Sequence, residues 1–217
     1  MNRCYIFCHG FGFDSLYWMN LVPFFLSQTC IFLDLGYFGK RSPPLKIPRD
    51  AQLIGIGHSL GFIKLTKLGI HFAGLIGLNG FIDFINFKAN ENSQRSIELR
   101  KMKQAYDLNP QSTLLNFYHR AGFENYSHAN ISTLDVPTLA QEFEVLNQKL
   151  DFLLDCPTLV IGTINDPIVP HHIIRYNFSQ THVSIKILNE GMHGLGYFKP
   201  GLIYFMIMNF LDEYVKN

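Results

Sequence analysis

Six short apolar runs constrain the fold of this 217-residue sequence more than any other feature. They occupy residues 4–8, 30–33, 53–56, 75–78, 158–161 and 183–188. Most are continuous rather than alternating, which is typical of strands covered on both faces, as in a parallel sheet. Helix-length segments near residues 15–27, 61–70, 171–178 and 198–215 separate several of them. This alternation predicts an α/β fold with a mostly parallel, doubly wound sheet of about six strands.

Residues 81–155 interrupt the alternation. They contain no strong strand run, and three stretches favour helices, at residues 91–109, 112–122 and 137–154. A crossover between parallel strands needs only about a dozen residues, so this segment is far longer than a connection requires. We therefore expect a core formed by residues 1–80 and 156–217, with residues 81–155 inserted as a helical lid. A simple long crossover is the alternative.

Composition and charge exclude several classes of protein. A hydrophobic fraction of 47% against a charged fraction of 16% excludes intrinsic disorder, and a net charge of +1 gives no general reason to expect nucleic-acid binding. The four cysteines lie in or beside apolar runs, which favours buried thiols in a reducing compartment. No signal peptide is visible, and the apolar stretch 202–211 is too short to span a bilayer. We expect a cytoplasmic monomer that binds neither nucleic acid nor membrane.

The segment GHSLG, residues 57–61, carries the strongest chemical signal. It follows the third apolar run and opens a helical stretch, which is the context that a G-x-S-x-G nucleophile elbow requires. A side chain at either glycine would crowd the junction between strand and helix. The turn would expose Ser59 at the carboxyl edge of the sheet, where the helix N-terminus favours developing negative charge. The pattern alone is also compatible with a chance turn of small residues.

Two later loops supply partners for this serine. The fifth run is followed by NDPIVP with Asp166, and the sixth by GMHG with His193. Ser59, Asp166 and His193 thus occur in the chain order of a nucleophile, acid and base triad at three strand ends. Ser59 would attack a carbonyl carbon, His193 would transfer the proton, and Asp166 would orient the imidazole. A structural turn at Asp166 and a surface histidine are the alternatives, and Asp83 is a second candidate for the acid.

Acyl transfer also needs hydrogen-bond donors for the oxyanion. The backbone N–H of Leu60, directly after the nucleophile, is one candidate. The loop after the first run reads HGFGFD, residues 9–14, and its glycines would let the N–H of Phe11 approach the site. A simple turn is the alternative for this loop.

The motifs HGFGFDSLYW, GHSLGF, NDPIVP and GMHG together resemble the α/β-hydrolase superfamily over the whole chain. Within it they are similar to the pimeloyl-[acyl-carrier protein] methyl ester esterases of biotin synthesis. The resemblance implies the same triad, an oxyanion hole at Phe11 and Leu60, and an acyl channel lined by the first part of the lid. The residues implied for that channel are Phe117, Tyr118, His119, Arg120 and Ala121. Three features depart from the pattern: only a few residues precede the first run, so we expect no N-terminal hairpin; His58 replaces a tryptophan; and the turn at residues 34–39 differs.

The resemblance implies a serine hydrolase that demethylates pimeloyl-acyl-carrier-protein methyl ester through an acyl-enzyme. Basic residues in the lid would then dock the acidic acyl-carrier protein, and the candidates are Arg95, Arg100, Lys101 and Lys103. A solvated helix face with pairs three or four residues apart is the alternative for them. A broad carboxylesterase or acyl thioesterase is the second functional hypothesis, and a non-catalytic binding module the third. We expect no cofactor and no metal, because His171 and His172 lack supporting ligand spacing.

Overall fold

The computed structural model describes residues 2–39, 41–85, 94–124, 126, 130–148, 154–179 and 182–215. Its centre is a sheet of six parallel strands in the order β2-β1-β3-β4-β5-β6. The strands are β1 Asn2–Cys8, β2 Thr29–Leu33, β3 Ala51–His58, β4 Gly74–Leu78, β5 Thr158–Thr163 and β6 Val183–Leu188. Each predicted apolar run lies within its strand, and the prediction of a parallel six-stranded sheet is confirmed.

The order of the strands determines where a site can form. From β1 the chain first adds β2 on one side and then β3 on the other, so the winding direction changes between β1 and β3. In open α/β sheets, ligands bind outside the carboxyl ends of the strands at such a switch point. The loop after β1 and the turn after β3 both begin there. The carboxyl ends of β4, β5 and β6 lie along the same edge because all the strands are parallel.

Seven α-helices flank or follow these strands in the described part of the chain. They are α1 Leu60–Thr66, α2 Gln94–Leu108, α3 Pro110–Arg120, α4 Val136–Leu146, α5 His171–Asn177, α6 Leu195–Phe198 and α7 Pro200–Tyr214. The helices predicted near residues 61–70, 171–178 and 198–215 thus correspond to α1, α5 and the pair α6 and α7. Within these described residues, no helix has both the length and the apolar composition to cross a membrane.

The single helix predicted near residues 15–27 is wrong. The structure has two short 3₁₀ helices there, Ser15–Trp18 and Val22–Phe25. A continuous α-helix would need an N–H at Pro23, which proline lacks, and the proline ring would clash with the carbonyl group one turn earlier. Tyr17 and Trp18 are nonetheless buried, so the segment packs on the sheet without being an α-helix.

Helices α2, α3 and α4 all lie between β4 and β5 in the sequence, within the segment 81–155 predicted as an insertion. Two of them begin with clear capping signals. The side chain of Asn109 accepts the N–H of Ser112 at the start of α3, and that of Asp135 accepts the N–H of Thr138 at the start of α4. Predicted helical residues 91–93 and 149–153 lie outside the described residues.

Large apolar side chains cover the sheet on both faces. Strand β4, one of the two central strands, is buried at all five positions, and the last five residues of β1 are buried as well. The four cysteines are free, and three of them are buried, consistent with their place in apolar runs. The core is therefore formed mainly by the central strands. Because the strands are parallel, their carboxyl ends lie at one edge of the sheet, where the polar loops come together.

Candidate active site

Ser59 lies on a sharp turn between β3 and α1. Its backbone adopts φ 53° and ψ −122°, an unfavourable left-handed conformation for a residue with a side chain. A Cβ atom at Gly57 would lie 2.5 Å from the backbone nitrogen of Phe62, and one at Gly61 would lie 2.2 Å from the carbonyl oxygen of Cys8. Neither glycine has room for a side chain, as the steric reading of the motif predicts. The turn is thus strained, and Ser59 lines a cavity.

Asp166 and His193 form a buried pair. The Nδ1 atom of His193 lies 2.8 Å from Oδ2 of Asp166 and donates its hydrogen to that oxygen. The other carboxylate oxygen, Oδ1, accepts the backbone N–H groups of Ile168 at 2.7 Å and Val169 at 3.0 Å. The carboxylate therefore forms the structural turn considered as an alternative and holds the histidine as well, with one oxygen for each task. The proton on Nδ1 leaves Nε2 as the basic nitrogen.

Asn79 is a site residue that the sequence did not reveal. It follows β4 directly, in a left-handed conformation with φ 49°, and its Nδ2 donates to Oδ2 of Asp166 at 2.5 Å. The same oxygen therefore receives both Asn79 and His193. The only signal in the sequence was a polar residue at a strand end. Asp83, the second candidate for the acid, is not the partner of His193, because the Nδ1 of His193 is bonded to Asp166.

His193 lies beside the Ser59 turn. The residue before the serine, His58, donates from Nε2 to the backbone oxygen of His193 at 3.0 Å, and the two rings are 4.7 Å apart. The Nε2 atom of His193 is buried and has no hydrogen-bond partner among the described residues, so the Ser59 hydroxyl is not bonded to it. Catalytic hydrogen bonds are often long in unliganded sites and shorten when substrate binds. The arrangement leaves the basic nitrogen unoccupied.

His58 supports this pair as a neutral ring. It is fully buried and stacks on Tyr17, with ring centroids 4.1 Å apart and planes 10° apart. Burial lowers the pKa of His58 well below its ordinary value, and the nearby His193 lowers it further. His58 therefore holds the backbone of His193 without adding a positive charge beside it.

The loop after β1 lies against the serine turn. His9 anchors it: its Nδ1 donates to the carbonyl oxygen of Gly10, and its Nε2 accepts the N–H of Leu35, both at 3.0 Å. The backbone N–H groups of Phe11 and Leu60 have no acceptor within the described part of the chain. Both groups are therefore available to a ligand, as the predicted oxyanion hole requires.

A cavity of about 370 Å³ opens at Ser59, between the sheet edge and helices α2 to α4. Its wall is largely apolar, and the side chains include Phe11, Phe81, Leu99, Met102, Phe117 and Leu146. The cavity is at the small end of the range for ligand pockets. Phe11 packs edge-on against Phe117, with ring centroids 5.5 Å apart, so the loop after β1 and the helix α3 form one continuous wall.

Of the five residues predicted to line an acyl channel, only Phe117 and Arg120 line this cavity in the described structure. These two are three residues apart and share one face of α3. Tyr118 and Ala121 are buried on another face, where the Tyr118 hydroxyl donates to the carbonyl oxygen of Gly12. His119 is exposed. The prediction is therefore wrong for Tyr118, His119 and Ala121, because a run of five consecutive residues cannot face one cavity from a helix.

The four basic residues predicted to dock a carrier protein do not share one surface. Arg95 and Lys101 line the cavity and Arg100 does not, although Lys101 and Arg100 are both exposed. Lys103 lies 2.7 Å from Asp107, four residues further along α2, as the alternative of a solvated helix face predicts. Arg95 is directed inward and bonds two backbone carbonyl groups. A common docking face of these four residues is therefore not what the structure shows.

The described residues contain no cluster of three or more histidine, cysteine or acidic side chains that could bind a metal.

Solved structures share this architecture. An esterase from Exiguobacterium antarcticum aligns with a TM-score of 0.80 at 15% identity, over 97% of this chain and 92% of its own. A bromoperoxidase from Bacillus anthracis gives 0.78 at 16% identity, over 98% and 92% of the two chains. MenH from S. aureus gives 0.76 at 17% identity, over 98% and 94%. Neither a protein-family model nor a curated protein matches the sequence. The chain has the α/β-hydrolase fold, as expected, and identities this low show the fold alone.

Proposed function

We propose that the protein is a serine hydrolase that cleaves carboxylic esters. The observation that carries the proposal is the buried pair of His193 and Asp166 beside the strained Ser59 turn, with Ser59 facing an apolar cavity. A strained nucleophile position that opens on a cavity, a histidine with an unoccupied basic nitrogen, and a carboxylate fixing its tautomer are the parts that acyl transfer needs. The esterase from Exiguobacterium antarcticum has a similar fold.

The mechanism follows from these positions. The Oγ atom of Ser59 attacks the ester carbonyl carbon while its proton passes to Nε2 of His193. The backbone N–H groups of Phe11 and Leu60 stabilise the negative oxygen of the tetrahedral intermediate. The C–O bond then breaks, the alcohol leaves with the proton from His193, and the acyl group remains on Ser59. Water repeats the sequence: His193 takes its proton, the acid is released, and the proton returns to Ser59.

Asp166 contributes by stabilising the histidine when it is positively charged. Its Oδ2 faces Nδ1 of His193 directly, and Asn79 and two backbone N–H groups complete its hydrogen bonds. These donors hold the carboxylate against Nδ1 of His193, where it can offset the charge of the imidazolium in the transition state. The neutral ring of His58 adds no opposing charge.

Labelling with a fluorophosphonate probe tests the proposal directly. We expect one adduct per chain, on Ser59, together with hydrolysis of short 4-nitrophenyl esters. Ser59→Ala should abolish both while leaving the circular dichroism spectrum unchanged. Ser132→Ala removes an exposed hydroxyl outside the cavity and serves as the matched control, which should behave as wild type. An adduct elsewhere, or undiminished turnover in Ser59→Ala, would refute the assignment.

For the substrate we propose pimeloyl-acyl-carrier-protein methyl ester, which would place the protein in biotin synthesis and in the cytoplasm. The support is the similarity of four motifs to the esterases of that reaction, the apolar cavity at Ser59, and the four free cysteines. Exposed Arg100 and the cavity residues Lys101 and Arg120 would interact with the acidic carrier. Demethylation of the carrier-bound ester, lost in Ser59→Ala, tests this substrate.

The small cavity also supports a broad carboxylesterase or acyl thioesterase. A series of free esters and matched thioesters of increasing chain length separates these cases, because a carrier-specific enzyme should strongly prefer the carrier-bound substrate. A non-catalytic binding module remains the third hypothesis. It predicts no covalent labelling of Ser59 in folded protein.

A further inference from the structure

Arg95 occupies an unusual place for a charged side chain. It is the second residue of α2, and its Nε donates to the carbonyl oxygen of Phe84 at 2.9 Å. Its Nη2 donates to the carbonyl oxygen of Ile168 at 2.8 Å, and its Cζ lies 4.4 Å from the centre of the Phe84 ring. Ile168 is two residues beyond Asp166. The guanidinium is thus fixed at the sheet edge that carries the candidate triad, and it lines the same cavity as Ser59.

Among the residues that the structure describes, the charge of Arg95 has no anionic partner. No carboxylate of the described residues lies within ion-pair distance of it, and its two bonded acceptors are neutral carbonyl groups. Burial lowers the pKa of the Arg95 guanidinium, whereas the charge of Glu98 one turn away opposes that change. An arginine stays protonated under these conditions, and a charge that is partly withdrawn from water, as this one is, normally has a counterion. Two of its five N–H groups are used, so three remain available.

The other charged residues of the cavity favour the same sign of ligand. Lys101 and Arg120 line it as well, and Glu98 is the acidic residue on its wall, with a side chain that accepts a hydrogen bond from Gln94. Three cationic groups and one carboxylate thus share a wall that is otherwise mainly apolar, and Arg95, Glu98 and Lys101 follow one another on α2. Glu98, Lys101 and Arg120 are exposed to solvent, whereas Arg95 is only partly exposed. Interactions between charges strengthen where water is scarce, so an anionic ligand should gain most from Arg95. A ligand that fits this wall combines an apolar chain with an anionic group.

We propose that the substrate is an ester that carries an anionic oxygen group, a carboxylate or a phosphate, on the acyl side of the cleaved bond, and that Arg95 binds that group while Ser59 attacks the ester. The proposal rests on the proposed ester hydrolase activity and names the substrate class of that same site. Arg95 would pair with the oxygens through the N–H groups that Phe84 and Ile168 leave free, since a guanidinium fork matches both carboxylate and phosphate. The apolar wall would hold the methylene chain between the two ends.

Three 4-nitrophenyl esters with the same chain length test the preference. They are 4-nitrophenyl hexanoate, the mono-4-nitrophenyl ester of adipic acid, and 4-nitrophenyl 6-phosphooxyhexanoate. We expect kcat/KM for one of the two anionic esters to exceed that for the hexanoate by about tenfold or more, the value of a charge-assisted hydrogen bond. Preference for the adipate ester identifies a carboxylate as the bound group, and preference for the phosphooxy ester identifies a phosphate. Equal or better use of the hexanoate overturns the proposal.

Two variants assign the preference to Arg95. Arg95→Gln should reduce the ratio of anionic to neutral kcat/KM to near one. Arg175→Gln makes the same change on an exposed face of α5, away from the cavity, and should retain the wild-type ratio. A preference that survives in Arg95→Gln refutes the role of Arg95. Because Arg95 also tethers two loops, Arg95→Lys, which keeps the charge, provides a second variant if the first does not fold.

A binding measurement separates failure of this proposal from failure of the hydrolase assignment. Ser59→Ala protein is titrated calorimetrically with monomethyl adipate, with methyl 6-phosphooxyhexanoate and with neutral methyl hexanoate. At least one anionic ester should bind about tenfold more tightly than the neutral one, and the difference should shrink as salt is added. Equal affinities overturn the anion site even if the wild-type enzyme is an active esterase. Tight anion binding without any ester cleavage or probe labelling would instead overturn the proposed reaction alone.

Discussion

The sheet edge and the helices α2 to α4 hold their site residues in different ways. At the sheet edge, backbone atoms determine the geometry: two glycines have no space for a side chain, and Asp166 is fixed by backbone N–H groups. In the helices, side-chain contacts determine the geometry. Arg95 donates to two backbone carbonyl groups, and Lys64 of α1 forms an ion pair with Glu142 of α4. Backbone constraints leave a short sequence motif, whereas side-chain packing leaves none. The chemistry of this protein is therefore easier to read from the sequence than its specificity.

The largest effect should come from the carboxylate at the sheet edge. Asp166→Asn is expected to lower kcat on a 4-nitrophenyl ester by about 10⁴-fold, because an amide can donate to Nδ1 of His193 and so stabilise the wrong tautomer. Thermal unfolding should show that the variant still folds. Asp83→Asn tests the alternative acid of the loop after β4 and should have a much smaller effect on kcat. A larger loss in Asp83→Asn would contradict the assignment.

The steric requirement of the serine turn predicts a loss of stability. Gly61→Ala brings a Cβ atom to 2.2 Å from the Cys8 carbonyl oxygen and 2.5 Å from that of His9. Backbone atoms must move, and we expect the free energy of unfolding to fall by about 3 kcal/mol. Gly201→Ala in α7, where the new atom would be 3.5 Å from Phe24, should be neutral or stabilising by up to about 1 kcal/mol. Urea denaturation measures both, and similar losses would disprove the steric argument.

The attachment of α4 to the sheet layer predicts a smaller loss. Nζ of Lys64 in α1 lies 2.6 Å from Oε2 of Glu142 in α4, and the Glu142 side chain is largely buried. Lys64→Met leaves that carboxylate without its cation and should lower the free energy of unfolding by about 2 kcal/mol. Adding Glu142→Leu should recover most of the loss, because the pair is then replaced by apolar groups. A double variant that is less stable than Lys64→Met would show that the pair is not the source of the effect.

The smallest effect concerns pH. Because burial lowers the pKa of His58 in the folded state, the unfolded chain binds a proton there first as the pH falls. The contribution of His58 to stability is therefore complete above the unfolded pKa of about 6.5 and declines below it, by up to about 1.4 kcal/mol per pH unit. Urea denaturation at several pH values from neutral to mildly acidic should show a shallower decline in His58→Gln than in wild type. Equal slopes would mean that His58 does not titrate on unfolding.

Much of the fold could be predicted from the sequence because buried strands leave continuous apolar runs, as residues 53–56 and 75–78 do. Ser59, Asp166 and His193 were also recognisable as candidates, because each follows a strand in a short turn that requires particular residues. Asn79 gave no comparable signal, because its amide acts on Asp166 from a distant part of the chain. The burial of Arg95 is likewise a matter of tertiary packing.

The face that each helical residue presents was the hardest property to predict. Phe117 and Arg120 reach the cavity, whereas Tyr118 between them points toward the loop after β1. A shift of one residue turns a helical side chain by about 100°, so a contiguous stretch cannot be assigned to one surface. The apolar pattern of residues 15–27 predicted one α-helix, but Pro23 lacks the N–H that a continuous helix needs, and two short 3₁₀ helices form instead.

The contact between α3 and the loop after β1 couples two properties that are usually considered apart. The Tyr118 hydroxyl donates to the carbonyl oxygen of Gly12, and Phe117 packs on Phe11, whose backbone N–H is the predicted oxyanion donor. A displacement of α3 wide enough to admit a bulky substrate would break these contacts and disturb that donor. Access and catalytic competence would then be mutually exclusive states of one equilibrium. Such an interlock would confine acyl transfer to the state in which α3 is seated on the loop, at the cost of a slower turnover.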